Sequence, residues 1–99
     1  MFEKLKQFKD LRDKAKTLQS ALATEKVTGE AAWGKVKIEM DGNQAVTGVT
    51  IDEALLAASE KSKLQDGVKD ALNDALKKAQ RKMMEKMKEM GGLNLPGMN

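Results

Sequence analysis

The chain has no cysteine and no histidine, and only one proline and three aromatic residues (Phe2, Phe8 and Trp33) in 99 positions. Without cysteine there is no disulfide framework and no thiolate metal site, a composition that fits a reducing compartment. Without histidine the usual general base and the commonest metal ligand are missing. The longest apolar run, Ala54 to Ala58, is far short of a membrane span. The opening MFEKLKQFKD holds no apolar segment of signal-peptide length, so a soluble cytoplasmic protein is expected. Ser20, Ser59 and Ser62 have no histidine to activate them. The carboxylates stand among other polar residues, and none is set in the apolar context that catalytic acids use. No enzyme, metal site, cofactor or small-molecule substrate is expected.

What is present is periodic. From Phe2 to about Thr24, apolar residues fall at Leu5, Phe8, Leu11, Ala15, Leu18 and Leu22, one stripe along a helix. Thr28 and Gly29 break the pattern, and the stretch Val27 to Leu56 reads as β-structure. Val36, Ile38 and Met40 alternate with Lys35, Lys37 and Glu39, the signature of a half-buried strand. Asp41-Gly42-Asn43-Gln44 supplies turn chemistry, with Gly and Asn the residues that tolerate positive φ. A third strand follows from about Ala45 to Ile51. Val46 has the opposite parity to Val49 and Ile51, so either a β-bulge near Gly48 returns it to their face or it sits on the outer one. Asp52 to Ala58 reads as a turn or short helical piece. Ser62-Lys63-Leu64-Gln65 fits a capping box, which starts a long helix near Ser59 to Lys63. Its stripe is Leu64, Val68, Ala71, Leu72, Ala75, Leu76, Ala79, Met83, Met87 and Met90, and Gly91-Gly92 ends it. The expectation is one α+β domain over residues 1–90, in the order α-β-β-β-α with a three-stranded antiparallel sheet, followed by a loose tail over residues 91–99.

Element lengths argue for a partner. A six-residue strand spans about 20 Å. The two helices, of some 23 and 30 residues, run about 35 and 45 Å. Their stripes extend past anything three strands can cover, and a second copy of the chain is the simplest cover. Leu11, Leu18, Leu72, Leu76, Met83 and Met87 are the residues assigned to core or dimer interface.

Charge is unevenly spread. The net charge of +3 resolves into +3 over residues 1–26, −1 over 27–51, −3 over 52–76 and +4 over 77–99. On the outward face of the second helix, Asp66, Asp70 and Asp74 give way to Lys77, Arg81 and Lys88. A helix macrodipole favours acids early and bases late, but it fades beyond the terminal turn and does not produce a switch in mid-helix. Lys9, Arg12 and Lys16 form a comparable row on the first helix. Phosphates ask only for cations at loosely defined spacing, so the six residues are candidates for sequence-tolerant contact with double-stranded DNA. There is no zinc finger, P-loop or aromatic set for stacking single-stranded bases. Met83, Met84, Met87 and Met90 invite a membrane reading, but three of them lie on the apolar stripe and read as adaptable packing. Trp33, at a strand end, reads as a packing residue. Asn73-Asp74 reads as a hydrogen-bonding or interface pair.

Several segments together resemble the YbaB/EbfC family of nucleoid-associated proteins. They are the MF start with its Lys/Gln-rich helix, VTGEA at Val27 to Ala31, GKVKIEMDG at Gly34 to Gly42, and VTIDEALL at Val49 to Leu56. Asn73-Asp74-Ala75 and GGLNLPG at Gly91 to Gly97 agree as well. The similarity covers nearly the whole chain in order. Departures are Ala31-Ala32-Trp33, where the family usually has a glycine-rich stretch, Glu53, where proline is common, and Gly67, where a bulkier residue is usual. The resemblance implies a homodimer with helices projecting like arms, and DNA binding in nucleoid organisation and gene regulation. Two other classes stand beside it: a scaffolding module whose basic helices bind an acidic protein, and a membrane-surface protein using the Lys/Met end of the second helix.

Overall fold

A computed structural model describes residues 2–91, with side chains described from Lys4 onward. The expected tail from Gly92 lies outside the described residues. The order is α1 (Phe2–Ala23), β1 (Lys26–Ala31), β2 (Val36–Asp41), β3 (Val46–Ile51), two single 3₁₀ turns (Glu53–Leu55 and Ala58–Glu60) and α2 (Lys61–Glu89). The strands form one antiparallel sheet in the order β1-β2-β3. The α+β, α-β-β-β-α architecture is the one the sequence implies.

The core lies between α2 and the inner face of β1 and β2. Val27, Val36, Ile38, Met40 and Leu55 are buried against Ala71, Ala75 and Ala79. The three alanines recur every fourth residue, so the helix presents methyl groups and sits close to the strands. Gly29 permits this approach, because a Cβ there would overlap the carbonyl of Ala71 and the amide of Ala75. Gly67 does the same one turn earlier, where a Cβ would lie 2.9 Å from Val36 Cγ2.

The β-bulge is real. Glu39 pairs with Gly48 but Met40 pairs with Val46, so Thr47 is the extra residue. Val46, Val49 and Ile51 therefore share the face of their partners Met40, Ile38 and Val36. That face is covered only in part. α2 lies over β1 and β2, and Val46 and Val49 remain 51% and 56% exposed.

Two local expectations need correction. The capping box does not form: Ser62 lies inside α2, and Glu60 at the N-cap makes no side-chain capping bond. The preceding 3₁₀ turn takes its place, with the Lys61 N–H bonded to the Ala58 carbonyl. In the β2–β3 turn the positive φ falls on Gln44 (67°), not on Gly42 or Asn43. Gly42 is required for space instead, since a Cβ would lie 2.8 Å from Leu22 Cδ2. Asp41 organises the turn by accepting from the N–H groups of Asn43 (2.8 Å) and Ala45 (3.0 Å). The turn then grips the end of α1: Gly42 N–H donates to the Leu22 carbonyl (2.9 Å) and Asn43 Nδ2 to the Gln19 carbonyl (2.9 Å). Helix α2 ends as expected, with Gly91 at φ 76° and its N–H bonded to the Lys88 carbonyl.

Candidate nucleic-acid interface

Helices α1 and α2 leave the sheet at the same end, where Leu18, Leu22 and Met83 line one groove with Ala15, Gln19 and Asn43. Leu18 and Leu22 are buried there, and Leu11 is half-buried. Farther along α1 nothing among the described residues covers the stripe, and Leu5 and Phe8 are 69% and 75% exposed. Leu72, Leu76, Met83 and Met87 are half-buried on one flank of α2. The opposite flank faces the outer edge of β1, so the flank of Leu72 and Leu76 looks toward β3. Val46 and Val49 on β3 are more than half exposed, and Ile51 is half-buried.

The cations of α2 from Lys77 to Lys88 divide into two rows. Lys78, Lys82 and Lys86 lie four residues apart and are all ion-paired. Lys78 meets Asp74 (3.1 Å), Lys82 meets Glu85 (3.6 Å) and Glu25 (4.0 Å), and Lys86 meets Glu25 (3.1 Å) and Glu89 (3.3 Å). Glu25 and Glu89 push the Lys86 pKa up by hydrogen bonding to its charged form. Lys77, Arg81 and Lys88 form the second row, within about 40° of one another around the helix. All three are exposed, and none has an ion-pair partner among the described residues. Lys9, Arg12 and Lys16 on α1 are likewise exposed and unpaired among the described residues. The six candidate cations are thus all exposed on the two helices, and the paired lysines are a distinction that sequence periodicity missed. Their partner Glu25 sits between α1 and β1, far away in sequence, and only the i,i+3 and i,i+4 acids could have been read from spacing.

The paired row also closes a sheet edge. Asp74 Oδ2 accepts from the Glu30 N–H (3.0 Å), and Lys78 Nζ donates to the Thr28 carbonyl (2.8 Å). Those two outward-pointing groups of edge strand β1 are thereby satisfied. The Glu30 hydrogen bond, then that of Lys78, holds the Asp74 pKa below its usual value. The expectation of a hydrogen-bonding role for Asp74 holds. Beside it Val27, Thr28, Lys78, Arg81, Lys82 and Glu85 line an open groove of about 280 Å³. Among the described residues no cluster of carboxylates is arranged to hold a metal ion. On the outer sheet face Lys37 is drawn toward Glu30 (3.9 Å).

Trp33 is not a packing residue. It stands fully exposed at the tip of the β1–β2 hairpin. Ala32, Trp33 and Gly34 have φ of 54°, 60° and 80°, one left-handed turn closed by bonds from the Gly34 N–H to the Ala31 carbonyl and from Lys35 to Ala32 (both 3.1 Å). Left-handed backbone costs a residue with a Cβ about 1–2 kcal/mol, so this turn is strained.

The family model described as the YbaB/EbfC DNA-binding family matches residues 1–93. The chain is 42% identical over 59 residues to the nucleoid-associated protein glr3498 of Gloeobacter violaceus, a match covering 60% of the chain and 53% of the relative. It is 35% identical over 62 residues to the nucleoid-associated protein DP1429 of Desulfotalea psychrophila, covering 63% and 58% respectively. The chain thus spans little more than half the length of these curated relatives. Its fold matches the crystal structure of the uncharacterized protein HP0035 from Helicobacter pylori with a TM-score of 0.69. That match has 20% identity and covers 84% of this chain and 96% of the other. The chain belongs to the YbaB/EbfC DNA-binding family.

Proposed function

We propose that the chain is a nucleoid-associated protein that binds duplex DNA as a homodimer with little sequence preference. Its role is in nucleoid organisation and gene regulation, in the bacterial cytoplasm, without catalysis. The observation that supports this best is the division of cations on the helices. Lysines 78, 82 and 86 are spent on internal ion pairs, whereas Lys9, Arg12, Lys16, Lys77, Arg81 and Lys88 are exposed and open to phosphate. The relatives named nucleoid-associated proteins support the same reading. The homodimer is supported by the exposed apolar residues Val46 and Val49 of β3. Since Asp74 and Lys78 close the β1 edge, β3 is the open edge of the sheet, and its apolar face suits a second copy.

Titration of a duplex with the purified protein tests this reading. Neutralising about four to eight phosphates per dimer gives a fall of log K with log salt of slope about −4 to −7. An affinity unchanged between low and physiological salt would refute phosphate contact by these helices. Binding to an acidic protein but not to duplex would favour the scaffolding reading.

A further inference from the structure

The hairpin tip and the N-terminal part of α2 enclose a groove that the DNA-binding reading leaves unused. It measures about 370 Å³ and is walled by Trp33, Ala32, Leu55 and Gly67, with Asp66 and Asp70 along the helix side. Lys35 and Lys63 also border it, and Lys63 is paired with Glu60 at 3.2 Å. Neither Asp66 nor Asp70 has an ion-pair partner among the described residues. A fully exposed indole held out on a strained turn does nothing for this chain's own core. An indole face beside unpaired carboxylates attracts cations: the ring quadrupole and the carboxylates act in the same direction. With Lys63 paired to Glu60, Lys35, Asp66 and Asp70 leave the groove one net negative charge, which disfavours nucleic acid phosphate.

A cationic occupant of the right kind is present on the chain itself. The carboxylates Asp66 and Asp70 and the cations Arg81 and Lys88 lie on one unbroken helix, with Asp70 and Arg81 about 16 Å apart along it. The groove carboxylates and these cations cannot meet within one copy. We propose that the Trp33 groove receives the basic end of α2, Arg81 and Lys88 in particular, from another copy. This contact is head-to-tail, separate from pairing across β3, and propagates into open chains because groove and arm are different surfaces. It uses the cations of the arm, so duplex DNA competes with it and dissolves the chains.

Trp33 is the one tryptophan in the sequence, so its emission reports the groove directly. The full-length protein is titrated without DNA at low salt over about a hundredfold range of concentration, with emission and sedimentation velocity read together. The expected result is a blue shift of Trp33 emission in step with species larger than a dimer, both reversed by salt or by added duplex. D66K/D70K and R81E/K88E should each weaken self-association at least tenfold, and an equimolar mixture of the two should restore it. W33A should weaken it while leaving the circular dichroism unchanged. The proposal is overturned if wild-type emission and sedimentation do not change with concentration, or if D66K/D70K assembles like wild type. A blue shift seen only on adding duplex also overturns it, by placing nucleic acid in the groove. If either double variant fails to fold, the W33A comparison and the wild-type titration still decide.

Discussion

Asp74 accepts a hydrogen bond from the Glu30 N–H at 3.0 Å, which fastens the middle of α2 to the outer edge of β1. The bond lowers the folded pKa of this carboxyl below the ordinary value of 3.8, so the ionised form is the stabilising one. Its contribution is therefore complete above the unfolded value and is lost as pH falls through the lower folded value. Asp74→Ala should cost about 1 kcal/mol near neutral pH, allowing for the partial exposure of the side chain. Urea midpoints of the two proteins should converge as pH is lowered past the ordinary carboxylate value and through the lower folded one. A difference that does not depend on pH would mean that the charge contributes nothing.

Gly29→Ala should be among the most damaging single substitutions. Its new methyl overlaps the backbone of α2 at Ala71 and Ala75, and backbone cannot swing aside as a side chain would. A loss of about 3 kcal/mol or more is expected by chemical denaturation, or failure to fold. Near-wild-type stability would show that α2 stands farther from β1 than described.

Two matched triple variants separate the cations on the arms from overall charge. One changes Lys77, Arg81 and Lys88 to Glu, and the other changes Lys35, Lys37 and Lys63 to Glu. Both lower the net charge equally. The first should lose duplex affinity by at least about tenfold, roughly 1.4 kcal/mol, beyond the second. Equal losses would mean that only total charge matters. Because Lys88 is near the Met87 stripe, unchanged sedimentation of both proteins comes first.

Val49→Lys tests pairing without disturbing the subunit. Val49 is already more than half exposed in one copy, so the substitution costs the isolated fold little. Light scattering should give twice the 10.9 kDa chain mass for the natural sequence. Val49→Lys should dissociate at protein concentrations at least about tenfold higher. A natural chain that scatters as a folded monomer at micromolar concentration would exclude the homodimer.

The helix stripes and the alternation of Val36, Ile38 and Met40 were legible from spacing, whereas for Val46 spacing left a bulge and an outward position both open. The outward row Lys77, Arg81 and Lys88 was legible as well, because helical geometry fixes which residues lie together. What spacing could not give was choice among long-range partners. Nothing local says that Glu25 claims Lys82 and Lys86, or that Thr28 and Glu30 meet Lys78 and Asp74. Trp33 was misread for a related reason: hydrophobicity favours burial, but a four-residue hairpin tip offers nothing to bury against. The capping box failed because the chain entering α2 was already wound into a 3₁₀ turn.

The seam of Gly29 against Ala71 and Ala75 has a mechanical consequence. Methyl groups and bare backbone leave no long side chain to flex, so the helix has no soft joint where it crosses the sheet. α2 runs unbroken from Lys61 to Glu89, and the ten residues beyond Ala79 form a stiff lever of about 15 Å. Rotation at the mount is magnified at the tip, and nothing along the rod absorbs it. In a pair of copies the distance between two such tips would be built in by the sheet rather than adjusted on contact. Such a device would act as a fixed calliper, measuring the width of what enters rather than its letters.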